Sequence, residues 1–314
     1  MLQIQTFDAR AGGNVIYKAL AHPLAAEAMS RLATRLHGPV AVYDPEGIAE
    51  ALLAMYPTRI DSLFVHDTAL VGQSRAETIA QALTALPDSG ARTVLIAAFD
   101  AARIAARIAH LVPAGANVVT LDEIRLPEAL LSNPGRYLDK LNFATNFAFF
   151  RDADGLSTRL VSANYWANYG AGAVRLWLRL FDGDGTALAT WEQKLPAGPG
   201  GYWIDSRDVK ERFGLGDFTG QLFLHAVGAA GHDVVKYALD THAGDNGATL
   251  SCTHDANAWP SDRFAGLPAP RPDERVVLWL QNSHAAPIPA GAVQLDRMGA
   301  EAPASYDREL GPFA

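Results

Sequence analysis

One cysteine, Cys252, occurs in 314 residues, so no disulfide framework can form within the chain, and a reducing compartment fits. No apolar run reaches the ~18 residues that suggest a membrane-spanning helix. The opening stretch "MLQIQTFDARAGG" has no basic segment followed by an apolar one, so no secretory leader is expected and a cytoplasmic protein is the default expectation. Positive charge is also short: 26 Lys and Arg stand against 34 Asp and Glu, a net charge of -8, with no basic cluster. Phosphate contacts need concentrated positive charge, so neither nucleic acid nor an anionic membrane is an expected partner. Three motifs are missing: G-x-G-x-x-G, C-x-x-C and H-E-x-x-H. No fixed-period repeat is present, which argues against a solenoid or propeller.

Tryptophan is absent from the first half. All six lie between Trp166 and Trp279, whereas the first half is rich in alanine and leucine. This asymmetry, with the turn-like "SNPGR", sets an expected boundary between residues 1–138 and 139–314. With 49% hydrophobic and 19% charged residues, the chain is of ordinary globular composition and long enough for two cores.

Residues 14 to 130 alternate short apolar runs with helical patterns. "NVIYKAL", "PVAVYD", "SLFVHD", "TVLIAAF" and "NVVTLDEI" read as strands. "HPLAAEAMSRLATRL", "EGIAEALLAMY", "SRAETIAQALTAL" and "DAARIAARIAHLV" read as helices, the third opened by Ser74 with Glu77 at capping-box spacing. Buried strands alternating with amphipathic helices predict a Rossmann-like, doubly wound parallel sheet. Beyond residue 141 the pattern changes to strands around Asp-Gly turns, "DADG" and "DGDG". Further strands are predicted at "TGQLFLHAV", "HDVVKYALDTH", "ATLSCTHD" and "RVVLWLQNS", with one helix at "SRDVKERFG". This pattern predicts an immunoglobulin-like β-sandwich.

The α/β half lacks the glycines of a dinucleotide site. After the first predicted strand comes "ALAHPLA", whose side chains stand where a pyrophosphate needs bare backbone, so NAD(H) and NADP(H) are expected to bind weakly or not at all. Asp44, read as the end of the second strand, lies where a ribose-binding acid belongs. His66, Asp67 and Asp100, with Asp122 and Glu123, gather at other strand ends, the edge where such sheets bind ligands. Asp100 also stands where a helix cap belongs. An acidic crevice suits a cation, a sugar or an amine.

In the second half, strand alternation puts Lys236, Asp240 and His242 on one face, either a ligand surface or a solvated outer face. "SANYWANYG" places Asn164 and Trp166 together on a strand face, amide beside ring, which is chemistry suited to sugars. The competing reading is a core tryptophan beside a turn. "SCTHDANAWP" joins Cys252, His254 and Asp255. With His225, His242 and His284 these could start a metal site, or Cys252 could be a nucleophile. The reading favoured over both is a buried, inert Cys252 ending a strand.

Three functions are consistent with this sequence. The first is a binding or accessory protein for a small polar ligand, a carbohydrate or nucleotide sugar. The second is a metal-dependent enzyme with a His/Asp/Cys site in the second half. The third is a scaffold that self-associates as a homo-oligomer.

Overall fold

A computed structural model describes residues 13–243, 249–255, 271–273, 277–295 and 304–314. They form two compact units that meet in sequence between Phe143 and Ala144. Among the described residues no helix is long and apolar enough to cross a membrane.

The first unit opens with two helices, α1 (Gly13–Ala21) and α2 (Pro23–Ala33). The expected strand "NVIYKAL" is therefore helical. Its buried residues Ile16, Ala19 and Leu20 recur at helical spacing, and that periodicity outweighs the β-branched pair Val15 and Ile16. Pro23 occupies the first turn of α2, and His22 caps it: its Nδ1 accepts from the Leu24 N–H at 3.1 Å.

Then follow β1 (Val40–Tyr43), α3 (Ala49–Met55), β2 (Ser62–Val65), β3 (Ser74–Arg75), β4 (Thr78–Ala82), β5 (Thr93–Ile96), α4 (Ala102–Ile108) and β6 (Asn117–Thr120). The six strands form one sheet in the order β3-β4-β2-β1-β5-β6, parallel except for the β3–β4 pair. β1, β2 and β5 are buried throughout, as continuous apolar runs in a covered parallel sheet should be.

The expected helix "SRAETIAQALTAL" is instead the β3–β4 hairpin followed by a 3₁₀ helix, Leu83–Asp88. Ala76 and Glu77, both at positive φ, form the turn, and residues 78–82 pair with β2 through Leu63↔Ala80. Sheet pairing overrides a local helical preference here.

The second unit holds β7 (Ala144–Ala153), β8 (Leu156–Ala163), β9 (Arg175–Asp182), β10 (Ala187–Lys194), β11 (Gly201–Asp205), α5 (Ser206–Phe213), β12 (Phe218–Val227), β13 (Tyr237–Ala243) and β14 (Thr249–Asp255), with the short pair β15 (Gln294–Leu295) and β16 (Ala304–Ser305). An eight-stranded antiparallel sheet runs β10-β9-β12-β7-β8-β13-β14, with β11 also paired to β8.

The β7–β8 hairpin turns at Asp154 and Gly155, both at positive φ as such a tight turn requires. The two strands pair only at Asp152↔Ser157 and Ala153↔Leu156 before separating. β8 pairs with β13 over Leu156–Val161 and with β11 over Arg159–Ala163. The sheet thus opens into two arms, β10-β9-β12-β7 and β11-β8-β13-β14. Leu178, Leu222 and Phe150 of the first arm share a core with Leu160, Ile204 and Leu239 of the second. Each such side chain contributes about 1.5–3 kcal/mol when fully buried.

Two further expectations change here. "NYWANYG" is a 3₁₀ helix, Tyr165–Tyr169, closed by left-handed Gly170, not a strand. "RVVLWLQNS" forms no strand over its described residues 277–283. Instead buried Asn282 brackets the segment: its Nδ2 donates to the carbonyls of Ala286 at 2.9 Å and Gly311 at 2.7 Å. Phe313 stacks on Phe181, with centroids 5.0 Å apart, so the C-terminal residues cover the outer side of the first arm.

Candidate functional site

The carboxyl edge of the parallel sheet comes first, because ligands bind there in open α/β folds. With residues 14–20 helical, Asp44 ends the first strand and not the second, so it does not occupy the ribose-binding position. The loop to compare with a glycine-rich turn is "DPEGIA", and it holds one glycine. The Asp44 carboxylate accepts from the N–H groups of Ile48 at 2.9 Å and Ala49 at 3.2 Å. The donors that would cradle a phosphate are therefore already taken by a buried carboxylate. Burial pushes the pKa of Asp44 up, partly offset by those N–H bonds.

The other edge residues also serve the backbone or each other. Tyr43 Oη lies 3.2 Å from His66 Nδ1. Asp67 accepts from Ala69 N–H at 2.9 Å. Asp100 does not cap α4. Asp122 accepts from the N–H groups of Asp100 at 2.7 Å and Ala101 at 2.9 Å, while Asp100 pairs with Arg125. Burial, with the nearby Asp44 and Asp100, pushes the Glu46 carboxyl up.

In the second unit, the Asn164–Trp166 pair is structural. Trp166 is 0% exposed, and its Nε1 donates to the His232 carbonyl at 2.9 Å. Asn164 is buried and donates to the Pro196 carbonyl at 2.9 Å. Neither can meet a ligand. Lys236 precedes β13 and is exposed. Its N–H donates to Tyr165 Oη at 3.0 Å, and its carbonyl accepts from Ser162 Oγ at 2.5 Å.

Cys252 is exposed on β14, where among the described residues only β13 pairs with it, so the buried reading is overturned. Its thiol faces Asp240 across the strand pair, and hydrogen bonding to that carboxylate pushes its pKa up, which disfavours the nucleophilic thiolate. The side chains of His254 and Asp255 lie outside the described residues. His225 is buried on β12, in the first arm, while His242 is buried on β13, in the second. His284 belongs to the C-terminal segment, and burial pushes its pKa down. Among the described residues no three His, Cys, Asp or Glu side chains gather as metal ligands.

A connected polar array does lie on β8, β11, β13 and α5. Register aligns Asp205, Arg159, Asp240 and Cys252 across four strands. Asp205 is buried and caps α5 by accepting from the Arg207 N–H at 3.0 Å. Its Oδ2 accepts from Arg159 Nε at 2.8 Å and Nη2 at 2.7 Å, and lies 3.6 Å from His242 Nε2. Two residues toward the β7–β8 turn, on the same strand face, Ser157 stands opposite His242. The Ser157 hydroxyl donates to Asp152 Oδ2 at 3.1 Å and accepts from Arg207 Nε at 3.0 Å. Lys210 donates to Asp152 at 3.0 Å and Asp217 at 2.7 Å, and these two carboxylates raise its pKa.

Beside α5, Asp152, Ser157, Arg207, Lys210, Glu211 and Leu215, among others, line an open cleft of about 630 Å³. The volume is in the range of small-ligand pockets.

No family model, curated protein or solved structure matches the chain.

Sequence reasoning missed the residues of this array apart from Asp240, His242 and Cys252. Two signals were present: Trp203 and Asp205 alternate along one strand face in "GYWID", and Asp205 stands directly before "SRDVKERFG" at the cap position.

Proposed function

We propose that the chain is a binding protein for a small polar ligand of the neutral saccharide class, held in the cleft beside α5. The observation that carries this reading is the balanced wall around Ser157: two cations, Arg207 and Lys210, and two acids, Asp152 and Glu211. Hydroxyl groups both donate and accept, so a polyol can meet the donor and acceptor capacity that these groups keep beyond their own pairs. A diphosphate would face the two acids, which favours a free saccharide over a nucleotide sugar. The Ser157 hydroxyl is fixed from both sides, and a preorganised donor–acceptor costs little ordering on binding.

The order of the five parallel strands, β4-β2-β1-β5-β6, supports a Rossmann-like reading of the first unit. The common core between two antiparallel arms supports a sandwich reading of the second.

Calorimetry with D-glucose, D-galactose and N-acetyl-D-glucosamine tests the proposal. Binding to at least one is expected, weakened about tenfold in Ser157→Ala, as befits one hydrogen bond. No binding at millimolar concentration by any of the three would overturn it.

A further inference from the structure

Trp203 is 62% exposed in the second unit. A large ring left mostly in water forgoes much of the stabilisation that burial gives and leaves an apolar face open to a ligand. It stands on β11 directly opposite Val161 of β8, also an exposed apolar side chain. The next aligned row along the strands holds Arg159 and Asp205, with Asp240 beyond. The row after that reaches Ser157 and the cleft.

Arg159 is pinned at one edge of its guanidinium. Nε and Nη2 both donate to Asp205, whose own position is fixed by burial and by capping α5. A guanidinium has five N–H donors. Among the described residues no other group takes those that remain, and the side chain is 45% exposed. Asp240 adds an acceptor across the strand. The surface thus offers an apolar ring, fixed donors and an acceptor in succession. Arg159, Asp205 and Asp240 together carry a net negative charge, which suits neither a phosphate nor a nucleic acid.

We propose that this face continues the cleft, so that the ligand is a linear neutral oligosaccharide whose terminal ring enters beside Ser157 and whose further ring stacks on Trp203. The inference rests on the saccharide reading of the cleft. The span is fixed by β8: from Ser157 to Val161 is four residues, about 13 Å at the strand rise. A single sugar ring cannot bridge it, and a short linear chain can. The indole face meets the C–H face of a pyranose, while the hydroxyls between meet Arg159 and Asp240.

The test is calorimetry on the full chain with the three monosaccharides above and with maltotriose, cellotriose, β-1,4-galactotriose and chitotriose. Wild type, Trp203→Ala and Trp203→Phe are compared, and light scattering is recorded for each. One trisaccharide is expected to bind at least about tenfold more tightly than its monosaccharide. Trp203→Ala should abolish that advantage and leave the monosaccharide affinity unchanged, while Trp203→Phe should keep most of it. Equal affinity for both lengths, unaffected by Trp203→Ala, would overturn the extended site and leave the cleft reading standing. A dimer that Trp203→Ala converts to monomer, with saccharide affinities unmoved, would make the ring a contact between two copies and overturn it equally. No binding of any length would overturn both readings.

Discussion

Two tryptophans and one cysteine show how burial decides a residue's role. Trp166 fills the core with its N–H satisfied, so Trp166→Ala should cost ~3–5 kcal/mol. Trp203→Ala should change stability by no more than ~0.5 kcal/mol, because the ring lies in water. Urea unfolding of the two variants checks both values, and equal losses would contradict the assignment of Trp203 to a surface. Cys252 behaves like the second case. Cys252→Ala should leave the urea midpoint nearly unchanged. The thiol should be fully accessible to a thiol reagent in the folded protein, yet react slowly at neutral pH, since Asp240 holds it protonated.

At the scale of elements, the loop from β1 into α3 carries a pH signature. Burial raises the Asp44 pKa in the folded state above its unfolded value near ~3.9. The folded protein therefore holds this proton more tightly than the unfolded chain. Its contribution to stability is fully present below the unfolded pKa and is lost as pH rises through the raised value. Asp44→Asn keeps a capping oxygen but cannot titrate. The difference in unfolding free energy, wild type minus variant, should fall as pH rises from about 3.5 into the range above the ordinary carboxylate values. A difference that is flat or rises with pH would contradict the cause assigned.

Elements also show what the sequence made legible. The Asp-Gly turns at 154–155 and 184–185 marked both hairpins, because few residues tolerate positive φ and these turns demand it. Continuous apolar runs marked β1, β2 and β5. The pattern misled where two signals competed. Val15 and Ile16 suggested a strand inside a helical spacing, and Ser74 with Glu77 imitated a cap where Ala76 and Glu77 form a turn. The site was less legible than the fold. Asp205, Arg159 and Asp240 become neighbours only through the register of β11, β8 and β13, and no local pattern specifies that register. Asn164 and Trp166 carried sugar-like chemistry in sequence, and a 3₁₀ turn removes both from solvent.

For the whole molecule, each unit has its own core: Leu52, Leu63 and Leu95 serve the first, and Leu178, Leu222 and Leu239 the second. A fragment ending at Phe143 and another beginning at Ala144 should each retain cooperative unfolding, followed by circular dichroism. Loss of structure in both would mean that neither core suffices alone.

The central claim is that the cleft beside α5 binds the ligand and the carboxyl edge of the parallel sheet does not. Mapping amide chemical shifts by NMR during titration with D-glucose, D-galactose and N-acetyl-D-glucosamine tests it most directly. The account predicts that saturating shifts gather at Ser157, Arg207, Lys210 and Glu211, while Asp44, His66, Asp67 and Asp100 stay still. Shifts gathered at those four edge residues, or none anywhere at millimolar sugar, would contradict it.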